Sequence, residues 1–310
     1  DREERPDLDR IYMMAVQAMT GSGGWPLNVV LTPDLEPFYG GTYFPPERRQ
    51  GMAAFRDVLM AVAEAWEYRR AELAQNGKRV VEGIAQQAAI VRQAVEEDLQ
   101  EETLSAAVAA LWSEFDRMKA GWGPAPKFPQ AMVLEFLLRY YVSTGNTAAL
   151  SMATQTLEAM AKGGIYDHLG GGFHRYSVDR QWVVPHFEKM LYDNALLSRV
   201  YLHAWQVTGR PLFRAVCQET LDYVLREMTD LSGGFYSSQD ADTDGVEGKY
   251  YVWTPEEIED VLEDADGFIG VYGVSRRGNF EERNILTLRG GVEERQELAE
   301  ARRRLLEARE

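Results

Sequence analysis

The chain has one cysteine, Cys217, so no internal disulfide can hold it together. Thiol–disulfide exchange, which needs a thiolate and a resolving sulfur, has no pair to work with. Cys217 lies in the apolar pattern Phe213, Val216, Cys217, Leu221, Val224, which reads as a buried core thiol, and a lone thiol fits a reducing, cytoplasmic compartment. No apolar run approaches the roughly 18 residues of a membrane span, and the first residues show no basic-then-apolar leader, so no membrane partner is expected. Positive charge is scarce too: 33 basic against 49 acidic residues leave −16, which repels nucleic-acid phosphates. The longest basic run, Arg302-Arg303-Arg304, is interleaved with Glu297, Glu300 and Glu307 and reads as a solvated helix face, so no nucleic-acid partner is expected either.

What remains is a globular composition, 45% hydrophobic over 310 residues, enough for two domains. The charged opening without a start methionine and the unfinished helical pattern at the close read as a fragment. Asp7–Met19 predicts a helix broken by Gly21-Ser22-Gly23-Gly24, followed by a strand over Leu27–Thr32 and a second over Pro37–Tyr39 before Gly40-Gly41. Phe55, Val58, Leu59, Val62 and Trp66 have helical spacing, and helix formers continue to about residue 98 with Gly77 and Gly83 as interruptions. These segments, 1–98, make a first domain. Residues 99–310 make a second that is nearly all helix and glycine-rich loop, with helical patterns at Leu104–Met118, Ala131–Val142, Thr147–Ala161, Pro185–Val207, Pro211–Met228, Pro255–Leu262 and Val292–Arg309. A weak repeat supports the division: Gly163-Gly164-Ile165-Tyr166 and Gly233-Gly234-Phe235-Tyr236 each close a helix, 70 residues apart.

Chemistry concentrates between Tyr166 and Asn194, where three of the four histidines fall. Histidine titrates near neutral pH, and proton transfer wants it beside carboxylates and an aromatic surface on which a sugar ring stacks. His186 or His174 is the expected proton carrier, with Asp167, Glu188 and Asp240 orienting it or sharing its charge. Trp182 and Tyr192 would face the sugar, and Arg175, Asp193, Asn194 and Asp242 would supply further contacts. Pro185 suits a first helical position, which predicts His186 and Glu188 in a first turn and His186, Lys189 and Asp193 on one face. Asp240, Asp242, Asp244 and Gly245 open like a calcium loop, but position twelve is Tyr251 where a glutamate belongs. Those carboxylates then either line a cleft or make a solvated turn. The histidines lack the pairing of a zinc helix, so neither metal nor cofactor is expected.

Several stretches resemble the spermatogenesis-associated, thioredoxin-domain-containing family: Asp1-Arg2-Glu3-Glu4-Arg5-Pro6-Asp7, Gly24-Trp25-Pro26-Leu27, Gly40-Gly41-Thr42-Tyr43-Phe44-Pro45, Lys127-Phe128-Pro129, Gly170-Gly171-Gly172-Phe173-His174, Pro185-His186-Phe187-Glu188-Lys189 and Ser238-Gln239-Asp240-Ala241-Asp242. The resemblance implies the C-terminal part of a thioredoxin-like α/β domain, with Pro26 as its cis-proline and the Cys-x-x-Cys motif outside this chain. It further implies a mainly α second domain, part of an (α/α)6 toroid similar to N-acylglucosamine 2-epimerase and the six-hairpin glycosidases. A carbohydrate-active enzyme, epimerase, isomerase or glycosidase-like, is one expectation. A non-catalytic toroid that binds a small-molecule or protein ligand beside a thioredoxin-like redox domain is the other, because a fold carries unrelated sites.

Overall fold

In the computed structural model the described residues are 4–49, 51–95 and 100–309, with the side chains of 87–95 left out of the description. Asp1-Arg2-Glu3 of the first motif and the end of the long helical pattern, 96–98, lie outside the described residues. The chain divides into two units, Asp1–Leu99 and Gln100–Glu310.

The first unit runs α1 (Pro6–Thr20), β1 (Asn28–Leu31), β2 (Pro37–Gly41) and α2 (Phe55–Val95). Pro6 opens α1, where its missing N–H costs nothing, and Gly21 ends it at φ 78° with its N–H on the Gln17 carbonyl. β1 and β2 pair antiparallel, Asn28 opposite Gly41 and Val30 opposite Tyr39. α1 can lie close over this ribbon because Gly40 has no side chain: a Cβ there would stand 2.7 Å from the Val16 methyl. Val16 and Ala15 are fully buried, and Phe38 stacks on Trp66 of α2 with ring centroids 5.2 Å apart. The Trp25–Pro26 bond ahead of β1 is cis. α2 breaks at Arg69 (φ −130°) rather than at Gly77 or Gly83; Gly77 instead lets the helix pass Glu36, whose Cβ would be 3.1 Å from an added Cβ.

The second unit is mainly α. Its long helices are α3 (Glu101–Glu114), α4 (Ala131–Thr144), α5 (Thr147–Lys162), and, after the short strands β3 (Tyr176–Ser177), β4 (Pro185–His186) and β5 (Lys189–Met190), α6 (Leu191–Thr208) and α7 (Pro211–Glu227). Consecutive helices form hairpins, α4 with α5 and α6 with α7. The hairpins stack in two layers, α4 on α6 in one and α3, α5 and α7 in the other, which is the arrangement of a partial (α/α) toroid. The 3.6-residue period explains the packing: Leu134, Leu137 and Leu138 of α4, Met152, Leu157 and Met160 of α5, and Leu197, Val200 and Tyr201 of α6 are buried to 2% exposure or less. Each such side chain contributes roughly 1.5–3 kcal/mol.

The remaining chain is loop and short element: β6 (Ser238–Gln239), β7 (Asp242–Thr243), β8 (Val246–Glu247), β9 (Val252–Trp253), α8 (Pro255–Val261), α9 (Asp266–Val271), β10 (Asn284–Ile285), α10 (Val292–Glu297) and α11 (Ala299–Arg309). Two helical patterns end early. The pattern to Met118 stops at Glu114 because Phe115 turns extended and bridges Trp122, and the last pattern splits at Leu298. The two glycine repeats differ. A Cβ at Gly163 or Gly164 would collide with the Trp182 or Val183 carbonyl at 2.2 and 2.1 Å, whereas Gly233 and Gly234 face open space.

Candidate functional site

The segment 185–190 decides the site. Read as the start of a helix, it is instead extended: Pro185–His186 pair with Tyr176–Ser177, and Lys189–Met190 pair with Ser238–Gln239. Burial alternates residue by residue, with Pro185, Phe187 and Lys189 inward and His186, Glu188 and Met190 partly exposed. Pairing with β3 and β6 holds the segment extended, and this turns Lys189 inward. Its ammonium reaches Asp167 Oδ2, 2.8 Å away, and the Gly171 carbonyl at 2.9 Å, both in the interior. α6 begins only at Leu191, so His186, Lys189 and Asp193 do not share a helical face.

Asp167 therefore belongs to a buried ion cluster. Its two oxygens accept both Arg309 Nη groups at 2.9 Å and Lys189 Nζ, and its Oδ1 also takes the Leu169 and Gly170 N–H groups. Burial by itself would raise this carboxyl, but Arg309 and Lys189 outweigh burial and hold it well below the carboxylate range. The glycine run fits around it: Gly172 sits at φ 80°, and a Cβ there would be 2.4 Å from the Tyr223 ring.

Three further expected site residues are buried and bonded within the fold. His174 is 1% exposed, donates from Nδ1 to the Phe187 carbonyl at 2.8 Å, and is pushed by burial and then by Lys189 to a pKa of about 3. It stays neutral and sealed at physiological pH, and so does His168, whose Nε2 bonds the Gly163 carbonyl. Trp182, 1% exposed, donates Nε1 to the Lys119 carbonyl at 3.0 Å and packs its ring on Gly121, so no face is free for a sugar. Asn194 is fully buried and ties the Phe173 N–H and carbonyl to the Met190 carbonyl.

The residues the structure does bring together lie on the outward face of the same ribbon. His186 stacks on Tyr176, its cross-strand partner, with centroids 5.1 Å apart. His186 Nδ1 is 2.7 Å from Glu247 Oε1, and its Nε2 is 3.7 Å from Glu188 Oε2. Glu188 Oε2 accepts from Arg175 Nη1 at 2.7 Å, and Tyr192 in the first turn of α6 is half exposed. Asp193 lies in the first turn of α6 within electrostatic reach of Arg175 and Glu188: burial raises its carboxyl, Arg175 opposes the rise and Glu188 adds to it, leaving it at about 7.

Glu247 and Tyr176 were not singled out in the sequence, yet a signal for Glu247 exists. Asp244-Gly245, at φ 54° and 74°, is the dipeptide of a two-residue hairpin turn, and it joins β7 to β8 so that Glu247 stands opposite Asp242. The calcium-like spacing is thus a β-hairpin. Asp240 and Asp242 are exposed on it, Asp240 Oδ1 accepting the Asp242 N–H at 3.3 Å, and neither bonds the His186 group.

Asp193 gives a pH-dependent expectation. Between pH 3.8 and about 7 the unfolded chain has released this proton while the folded chain keeps it, so this group's contribution to stability falls as pH rises through that window. Asp193→Asn should raise the melting temperature more at pH 8 than at pH 5. Equal shifts at both pH values would show an ordinary carboxyl.

Residues 1–85 match a family model described as Thioredox_DsbH, protein of unknown function, DUF255. Spermatogenesis-associated protein 20 of Rattus norvegicus is 41% identical over 94% of this chain and 41% of its own length. The Homo sapiens protein of the same name is 44% identical over 84% of this chain and 35% of its own length. Among solved structures, the cellobiose 2-epimerase of Spirochaeta thermophila DSM 6192 is similar at 21% identity and a TM-score of 0.39, over 45% of this chain and 41% of that one. A sugar epimerase from a ruminal bacterium is similar at 14% identity and a TM-score of 0.39, over 49% of this chain and 43% of that one. The chain is thus similar to the spermatogenesis-associated, thioredoxin-domain-containing proteins, and it spans 41% and 35% of the length of these two curated relatives.

Proposed function

We propose that the His186, Glu188 and Asp193 group moves a proton on a carbohydrate, in the manner of a sugar isomerase or epimerase. The observation that carries the reading is the Glu188–Arg175 ion pair set against His186, with Asp193 nearby as a carboxyl raised to about 7 by burial. Groups whose surroundings push their proton affinities apart divide naturally into donor and acceptor. Asp193, half protonated near neutrality, can donate to a carbonyl oxygen. His186, a partly exposed imidazole between two carboxylates, can accept a proton from the neighbouring carbon. Arg175 offers a cation for developing negative charge, and Tyr192 gives an exposed ring for the apolar face of a sugar. A histidine acceptor suits removal of a proton next to a carbonyl better than glycoside cleavage, which uses two carboxyl groups.

Calorimetry on the intact protein with reducing mono- and disaccharides tests the reading. A sugar should bind the wild type, and His186→Ala and Glu188→Gln should weaken it at least about tenfold, the loss of one charge-assisted hydrogen bond. No binding by any sugar would sink this reading and leave the toroid as a partner-binding element beside the thioredoxin-like domain.

A further inference from the structure

We propose that Glu247 is a positioning residue that holds His186 with its proton on Nδ1 and so makes Nε2 the proton acceptor of the cluster. The inference rests on the reading above for its catalytic consequence, but its geometric part stands alone. An ionised carboxylate only accepts hydrogen bonds, so the 2.7 Å contact between Glu247 Oε1 and His186 Nδ1 requires the hydrogen on Nδ1. At Nε2 the nearest carboxylate oxygen, Glu188 Oε2, is 3.7 Å away, beyond hydrogen-bond length, and that oxygen already takes Arg175 Nη1 at 2.7 Å. The ring plane is set independently by Tyr176, stacked at 28° between planes. A flip of the imidazole would give up the 2.7 Å bond to Glu247.

The acidic loop then has a purpose. The Asp244-Gly245 turn fixes the β7–β8 register, the register places Glu247, and Glu247 selects the tautomer. In the proton transfer, the C–H bond next to a sugar carbonyl breaks, its electron pair stays on the substrate as an enediol or enediolate, and the proton goes to Nε2. His186 becomes an imidazolium flanked by Glu247 and Glu188. Returning the proton to the same carbon or its neighbour restores the neutral ring, so no oxidant or reductant is consumed.

Long-range proton–nitrogen correlation spectra of histidine-labelled protein at pH 8 read the tautomer directly, with His186→Ala assigning the signal among the four histidines. The wild type should show a protonated Nδ1 and a bare Nε2. Glu247→Gln, which keeps an acceptor oxygen, should retain that pattern, and Glu247→Ala should move the proton toward Nε2. Turnover in Glu247→Ala should fall on the order of 10²-fold, with Glu247→Gln falling less. A wild-type ring protonated mainly on Nε2, or a Glu247→Ala ring identical to wild type, would overturn the inference. The expected spectra together with no action on any sugar would uphold the tautomer assignment and overturn the carbohydrate reading instead.

Discussion

Asp167→Ala should destabilise the second unit by about 3–5 kcal/mol, because it leaves buried cations without their counter-charge. Lys189 is wholly buried, and the side chains of Arg309 and Asp167 are each 3% exposed. Aromatic faces moderate the strain, with Lys189 Nζ 4.1 Å from the Tyr223 ring centre and the Arg309 guanidinium 4.5 Å from that of Tyr250, but rings do not replace a carboxylate. Asp167→Asn, which keeps an acceptor, should cost less than alanine. The pH dependence has a definite sign. The folded carboxyl lies well below its ordinary 3.8, so the stabilisation is complete above that value and is lost as pH falls below it. Chemical denaturation of wild type and both variants checks all of this. A near-neutral Asp167→Ala would mean the residue faces solvent and a ligand.

Trp182→Ala should cost a further large amount, about 3–5 kcal/mol, from the cavity left by a fully buried indole. The residue sits at φ 67°, held by the turn in which Asp179 accepts the Gln181, Val183 and Val184 N–H groups. Trp182→Phe keeps much of the volume but leaves the Lys119 carbonyl without its indole partner, so about 1–3 kcal/mol is expected there. Sugar affinity, corrected for the folded fraction, should be unchanged in Trp182→Phe. A selective loss of affinity with normal stability would make the ring a ligand platform after all.

These two residues show where reading the sequence succeeds and where it stops. Helices α1, α4, α5 and α7 are legible to within a few residues because their apolar period and their Pro and Gly boundaries are local signals. The polar loops are not local in this sense. Asp167, His174 and Trp182 have the residue types of a sugar site, yet Asp167 is claimed by Lys189 and by Arg309, 142 positions away. His174 is sealed by Phe187 and Tyr251, whose rings pack edge-on against it. Nothing in a stretch of sequence announces so distant a partner. The segment 185–190 misled for a related reason: Pro185 can start a helix or a strand, and the choice falls to β3 and β6, which capture it. Once that segment is extended, its two-residue period sorts the motif into an inner half that folds the unit and an outer half, His186 and Glu188, that meets Arg175, Asp193 and Glu247.

The most direct test of that outer half is solvent exchange at the carbon next to a sugar carbonyl. The intact protein is incubated with aldoses and reducing disaccharides in D2O and followed by proton NMR, alongside His186→Ala and Asp193→Asn. Deuterium should appear at that carbon with wild type, at a rate lower by about 10²-fold or more in each variant. Exchange that persists undiminished in both variants would place the proton chemistry elsewhere in the protein and contradict the site.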